Sequence, residues 1–242
     1  MKLCVIGGAG ARSAFLTKSL VKSARDIRVD HIVLLDNDQQ KLKTYGEISR
    51  ELARRLYPDL TFEVTSDARA ALTGVDYIIT TIRAGGDAGR LFDEQTCLAH
   101  GVLGQETTGA GGFAMAIRSV PTLVYYCTLA REVANPGHLI FNFTNPSGII
   151  TQALRSKGFD NVYGICDAPS GFIKQLEEIL GIPYGTLDIE CYGLNHLSWF
   201  RNAKVNGRDV QRELLDNPRT YEHSEMRLFT REMARISGDC ML

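Results

Sequence analysis

The chain lacks most of the features that assign a protein by composition alone. It has no CxxC pair: its six cysteines stand apart at positions 4, 97, 127, 166, 191 and 240, with neither a zinc-finger spacing nor a disulfide-like framework. It has no surplus of either charge. Lys and Arg number 27 against 28 Asp and Glu, a formal net charge of -1, which gives no bulk electrostatic reason to expect nucleic acid. The basic cluster from Arg50 to Arg55 reads as the solvated face of a helix. No apolar run approaches the roughly 20 residues that span a bilayer, so no membrane partner is expected. Lys2 leads at once into LCVI and a glycine turn, with no apolar leader or cleavage site, so a cytoplasmic chain with reduced cysteines is expected. There is no internal repeat and no low-complexity segment. What is present is 242 residues, 44% hydrophobic and 23% charged, enough for one large or two small domains with a real core.

Apolar strands alternate with helical stretches over the first 165 residues. Strands are expected at Leu3 to Ile6, His31 to Leu35, Phe62 to Thr65, Tyr77 to Ile82, Leu139 to Phe143 and Val162 to Ile165. Helices are expected at Arg12 to Arg25, Gln39 to Tyr57 and Pro121 to Val133. Strands separated by helices imply right-handed crossovers and a parallel sheet, a doubly wound Rossmann-type α/β fold. Beyond about residue 185 the texture changes. Ile189 to Val205 is rich in β-formers, Asn206-Gly207 supplies a two-residue hairpin turn, and Gln211 to Arg235 is polar with helical character. The sequence therefore predicts a nucleotide-binding domain over 1–186 and the start of a second, mixed α+β domain over 187–242.

The opening segment KLCVIGGAGARS is a strand, a glycine turn and a helix start, in the order that suits a pyrophosphate: free backbone N–H groups and a partial positive charge at a helix N-terminus. Gly8 and Gly10 fill the first two fingerprint positions, Ser13 stands at the third, and Gly7 loosens the turn before them. Asp36 ends the second strand, where an acid bonds the ribose hydroxyls of NAD and repels the extra phosphate of NADP. Thr81, at the end of the fourth strand, is expected near the cofactor, because ligands of such sheets sit at the carboxyl ends of the strands. The competing reading is a plain glycine turn with a surface aspartate.

Further candidates lie downstream. Cys166 follows the sixth strand, and His196 lies within YGLNHLSWF; a thiolate and an imidazole with positions left open suit a catalytic metal, though each alone is more often structural. Asp167 is either a proton donor or a helix N-cap. Asn145 either caps the helix after the fifth strand or holds a substrate hydroxyl. Arg90 either meets an anionic group or makes a surface salt bridge. Glu106 sits among glycines that allow close approach to a ligand.

Taken together, VIGGAGARS, LLDND, GQETTGAGGFAMAIRSVP, FTNPSGIIT, GICDAPSG and YGLNHLSWF resemble glycoside hydrolase family 4, the NAD- and metal-dependent glycosidases, in the family's order from residue 5 to 200. GQETTG, TNPSG and GLNHLSW are most similar to its 6-phospho-β-glucosidase branch, although Asp167 stands where that branch often has Asn. The resemblance implies no paired catalytic carboxylates. It implies instead an oxidation–elimination–addition–reduction cycle on a phosphorylated disaccharide or β-glucoside. NAD would be held by the glycine turn and Asp36, and a divalent ion, usually manganese, by Cys166 and His196. Arg90 and Asn145 would contact the sugar phosphate, Asp167 would donate a proton, and Glu106 would raise the basicity of a catalytic tyrosine. Family members are longer and place that tyrosine well after the histidine. Tyr221, the last tyrosine here, does not match it, so a C-terminally truncated chain is expected, and a homo-oligomer as in the family. Two other readings stand beside this one: a dehydrogenase of the lactate/malate type, and a non-catalytic NAD-binding module.

Overall fold

The computed structural model describes residues 1–194, 197–229 and 231–242. Its contacts divide the chain into two compact units, Met1–Ile165 and Cys166–Leu242.

The first unit carries a six-stranded sheet built from β1 (Lys2–Ile6), β2 (His31–Leu35), β3 (Thr61–Thr65), β4 (Tyr77–Thr80), β5 (Leu139–Asn142) and β6 (Val162–Gly164). All pairs are parallel and the order is β3-β2-β1-β4-β5-β6. This is the doubly wound arrangement that the alternation of strand and helix patterns predicts. The connecting helices are α1 (Ser13–Ser23), α2 (Gln39–Lys41), α3 (Glu47–Leu56), α4 (Ala68–Leu72), α5 (Gly86–Ala99), α6 (Gly109–Val133) and α7 (Ser147–Ser156). The near-continuous apolar strands are explained by cores on both faces. On one face Leu3, Val5, Ile32 and Leu34 pack with Val21 of α1 and Ala53 of α3. On the other, Cys4, Ile6, Val33, Ile78 and Ile140 pack with Leu123 and Cys127 of α6 and Leu154 of α7.

The single helix read from Gln39 to Tyr57 is interrupted by a π-turn at Leu42–Gly46, where Gly46 lies so close to Val64 that a Cβ would stand 2.6 Å from its Cγ1. The basic cluster does sit on a solvated face: Arg50 pairs with Glu47, and Arg54 and Arg55 both pair with Glu51, whose carboxyl their hydrogen bonds hold down at about 2. Helix α6 begins at Gly109 rather than at Pro121. A proline at 121 reads as a helix start, yet it is tolerated inside this one. Gly111 and Gly112 open the earlier turns, where a Cβ would stand 2.6 Å from the Gln105 carbonyl oxygen and 2.7 Å from the Thr107 carbonyl carbon. By length and composition α6 alone, among the described helices, is long and apolar enough to cross a bilayer. A core helix passes the same test, and this one buries Met115, Leu123, Cys127 and Ala130.

The second unit comprises α8 (Ala168–Leu180), an antiparallel sheet of β7 (Leu187–Leu194), β8 (Leu197–Val205), β9 (Arg208–Asp209) and β10 (Cys240–Met241), and the short helices α9 (Gln211–Asp216), α10 (Pro218–Glu222) and α11 (Arg231–Ser237). Asn206 and Gly207 turn the β8–β9 hairpin with φ of 51° and 80°, as their residue types predict. The division by contacts falls at Ile165/Cys166, ahead of the 186/187 boundary expected from the sequence. The reason is α8: Phe172 and Leu176 bury in the second core, with the Phe172 ring edge-on to Phe200 at 4.9 Å. The change to β-rich sequence after 185 marks the start of the sheet, not of the unit.

Candidate functional site

The first unit gathers its candidate residues at the carboxyl ends of β1, β2, β4 and β5. The N–H groups of Gly7 and Gly8 both donate to the Leu35 carbonyl, at 2.8 and 3.0 Å. Gly7 has φ +82°, and a Cβ there would stand 2.7 Å from the Thr81 carbonyl oxygen. At Gly8 a Cβ would stand 2.9 Å from the Leu34 Cβ and from the Val5 carbonyl oxygen. The fold itself thus requires glycine at both positions. Gly10 differs: a Cβ there would meet only the Gly7 carbonyl oxygen, at 3.9 Å. Its absence leaves open space before α1, whose N-terminus no side chain caps. An uncapped 11-residue helix behind an open glycine turn suits a phosphate.

Ser13 is buried, its hydroxyl 3.5 Å from that of Ser49 on α3, so its side chain serves helix packing. The Asp36 carboxylate accepts from the Ala9 N–H at 3.1 Å and the Asp38 N–H at 3.0 Å, tying the end of β2 to the glycine turn. Thr81 is half-buried, and its N–H donates to Ile6 at 2.8 Å.

After β4 the chain enters IRAGGDAGR. Arg90 bonds Glu94 through Nε at 2.7 Å and stands 3.7 Å from Glu106. Arg83, which sequence reasoning missed, lies closer to the same carboxylate, at 3.3 Å, and also pairs with Asp87. Glu106 therefore lies between two guanidiniums. Beneath this loop Arg118 of α6 forks onto both oxygens of buried Asp93 and donates from Nε to the Ala84 carbonyl at 3.2 Å. The glycines of the loop rest on it: a Cβ at Gly85 would stand 3.0 Å from that Nε.

Asn145 is half-buried in the turn between β5 and α7. Its side chain is not a cap: the residue before Ser147 is Pro146, and no side chain caps α7. The turn is held to the β4 end by the Ile82 N–H, which donates to the Thr144 hydroxyl at 3.1 Å.

In the second unit, Cys166 is half-buried, 4.0 Å from the exposed Asp167 carboxylate. Asp167 occupies the N-cap position of α8 but makes no capping bond, so the structural role weighed for it is not the one it fills. His196 lies outside the described residues. Among those described, no group of three or more His, Cys, Asp or Glu side chains is placed to hold a metal. All six thiols are free. Burial pushes those of Cys4, Cys127 and Cys240 up to about 12, leaving them inert, whereas Cys166 is accessible. The Tyr221 hydroxyl donates to the Leu215 carbonyl at 2.9 Å and burial raises its pKa, a structural tyrosine.

Residues 2–182 match the family described as Family 4 glycosyl hydrolase. The chain belongs to that family. Within glycosyl hydrolase family 4, it is 35% identical over 219 residues to the 6-phospho-β-glucosidase BglT of Thermotoga maritima, covering 90% of this chain and 51% of the relative. It is 33% identical to the phospho-α-glucosidase PagL of Clostridium acetobutylicum, covering 89% of this chain and 50% of that one. The chain spans about half the length of these curated relatives. A solved 6-phospho-β-glucosidase from Thermotoga maritima, with manganese, NAD+ and glucose-6-phosphate, superposes with a TM-score of 0.87 at 31% identity, over 100% of this chain and 57% of its own. A malate dehydrogenase from Salinibacter ruber, 19% identical with a TM-score of 0.66 over 98% of this chain and 70% of its own, shares the fold.

Proposed function

We propose that the protein is an NAD- and manganese-dependent 6-phospho-glucosidase with preference for the β-linkage. One observation carries the reading: a continuous run of contacts from Gly7 through Thr81 and Ile82 to Thr144, the neighbour of Asn145, with the Arg83–Glu106–Arg90 cluster leading off Ile82. What supports the reading is that the glycine turn, the Asn145 amide and the Arg83 and Arg90 guanidiniums follow adjacent strand ends of one sheet, groups whose chemistry suits a nucleotide, a sugar hydroxyl and a phosphate. Gly7, Gly8 and Gly10 with the N-terminus of α1 would hold the pyrophosphate, and Asp36 the ribose. Arg90 and Asn145 would hold the phosphorylated sugar. Glu106, fixed between Arg83 and Arg90, would place a negative charge beside the reacting carbons. In the second unit Cys166 and His196 would hold the cation, and Asp167, whose carboxylate spends nothing on capping, would deliver a proton to the leaving oxygen. When bound, NAD would supply hydride transfer at the sugar's C3 and the cation Lewis-acid polarisation of an oxygen there.

The test uses a chromogenic 6-phospho-β-glucoside and its α-linked counterpart, with NAD, manganese and thiol. Hydrolysis of the β-linked compound that vanishes when NAD is removed is the expected result. Unchanged hydrolysis without NAD overturns the mechanism, and faster turnover of the α-linked compound overturns the anomer preference. Net NADH accumulation with a hydroxy acid, independent of metal, would identify a dehydrogenase instead.

A further inference from the structure

We propose that Asn142 is a positioning residue, fixing the Asn145 turn against the end of β4 and so setting where the sugar lies. The inference rests on the reading above. Asn142 ends β5 on the face that also carries Ile140, and it is fully buried. A valine would continue the apolar strand there. An amide is tolerated only if its donors and acceptors are met.

They are met, and by one region. The Thr80 hydroxyl at the end of β4 donates to Asn142 Oδ1 at 2.8 Å, and the Thr144 N–H donates to the same oxygen at 3.3 Å. Asn142 Nδ2 lies within donating distance of the Thr151 hydroxyl at 3.2 Å, the Thr144 carbonyl at 3.3 Å and the Ser147 carbonyl at 3.4 Å. The Thr144 hydroxyl donates to that of Thr80 at 3.3 Å while accepting from the Ile82 N–H. The Asn142 carbonyl accepts the Ile165 N–H at 2.9 Å, and the Ser147 hydroxyl lies 3.3 Å from the same oxygen. Thr80, Thr144 and Ser147 are themselves buried. Even Gly164 belongs to the arrangement, since a Cβ there would stand 2.7 Å from the Thr151 hydroxyl. One amide thus gathers both flanks of Asn145 and the residue before Thr81.

The nucleotide cradle touches this network at Thr81 but has further anchors outside it. Gly7 and Gly8 hang from Leu35, Ala9 from Asp36, and Thr81 from Ile6. Loosening Asn142 should therefore move the sugar site and spare the dinucleotide site, a separation that general destabilisation does not produce.

The experiment compares wild type with Asn142→Leu, which keeps four side-chain heavy atoms branched at Cγ but is bulkier and has no polar atoms, and with Thr80→Val, which removes one hydroxyl and leaves the amide. Calorimetry with glucose 6-phosphate and, separately, with NAD reads the two sites, alongside Tm and the KM for the phosphoglucoside. Asn142→Leu is expected to weaken glucose 6-phosphate binding and raise KM by about 10-fold or more, the worth of one well-placed hydrogen bond, with NAD affinity within about 2-fold. Thr80→Val should shift both in the same direction by less. A lowered Tm with unchanged sugar affinity in both variants overturns the proposal, as does an equal loss of sugar and NAD affinity. If wild type binds both ligands yet hydrolyses nothing, the glucosidase reading fails while the binding data still decide the role of Asn142. A wild type that binds no glucose 6-phosphate overturns both.

Discussion

Gly7→Ala is expected to raise the dissociation constant for NAD by about 100-fold, and Gly10→Ala by about 10-fold with no loss of Tm. The two glycines share a turn and differ in what surrounds them. At Gly7 the backbone is left-handed, which costs an L-residue roughly 1–2 kcal/mol, and the new methyl would lie 2.7 Å from the Thr81 carbonyl oxygen. The turn cannot retreat, because the N–H groups of Gly7 and Gly8 share the Leu35 carbonyl. Either the turn or the end of β4 must shift, and both face the nucleotide in the proposed site. The strain falls on the free and the bound protein alike and lowers Tm, whereas displacing the turn from the nucleotide costs affinity by about 2–3 kcal/mol, hence the factor of about 100. At Gly10 nothing in the protein opposes a methyl group, so stability should not change. Only a ligand close to that backbone would feel it. Calorimetry with NAD and a thermal melt of each variant check both statements; a Gly10→Ala variant that binds NAD as tightly as wild type would mean that the phosphate does not lie over Gly10.

The same contrast shows what the sequence could and could not disclose. The six strands and their parallel pairing were legible because each is a short run carrying apolar or β-branched residues, set apart by helix-length intervals, and the four central strands are the most buried. The glycine turn was legible as local structure because close backbone approach fixes Gly7 and Gly8, and Asp36 ties the end of β2 back to Ala9. Helix α5 and the true start of α6 were not, because glycine signals a turn in isolation. Here Gly85 and Gly89 admit the Arg118 side chain, while Gly111 and Gly112 admit backbone. Arg83 was missed because its partner Glu106 is distant in sequence, and Asn142 because FNFTNPSG draws attention to the turn rather than to the amide beneath it. The packing of α8 with the second core was not legible because α8 has the pattern of any amphipathic helix, and only packing assigns it to a core. In each case the hidden information lies in a tertiary contact whose two halves look ordinary apart.

Arg118→Met should destabilise the first unit by about 3 kcal/mol, and the double variant Arg118→Met/Asp93→Leu should recover most of that loss. Asp93 is 7% exposed and both its oxygens rest on the Arg118 guanidinium, whose side chain is 30% exposed. Removing the arginine leaves a carboxylate that water reaches poorly, a lesion of about 3–5 kcal/mol when the site is fully closed. Partial access for water from the arginine side sets the lower end of that range. In a chain of this length the single variant should melt roughly 6–12 °C below wild type. Replacing both partners by apolar groups removes the stranded charge together with its cause, so the double variant should lie near wild type. Function should not recover with it. Arg118 also donates to the Ala84 carbonyl and supports Gly85, which ties down the loop between Arg83 and Arg90. Neither methionine nor leucine restores that bond. The double variant should therefore keep a raised KM for the phosphorylated sugar at near-normal Tm, because the two guanidiniums stand on an untethered loop. Thermal melts and steady-state kinetics on all three variants, Asp93→Leu included, separate the two effects. A double variant as unstable as Arg118→Met alone would show that the buried charge is not the cause, and one with wild-type KM would show that the tether does not position the arginines.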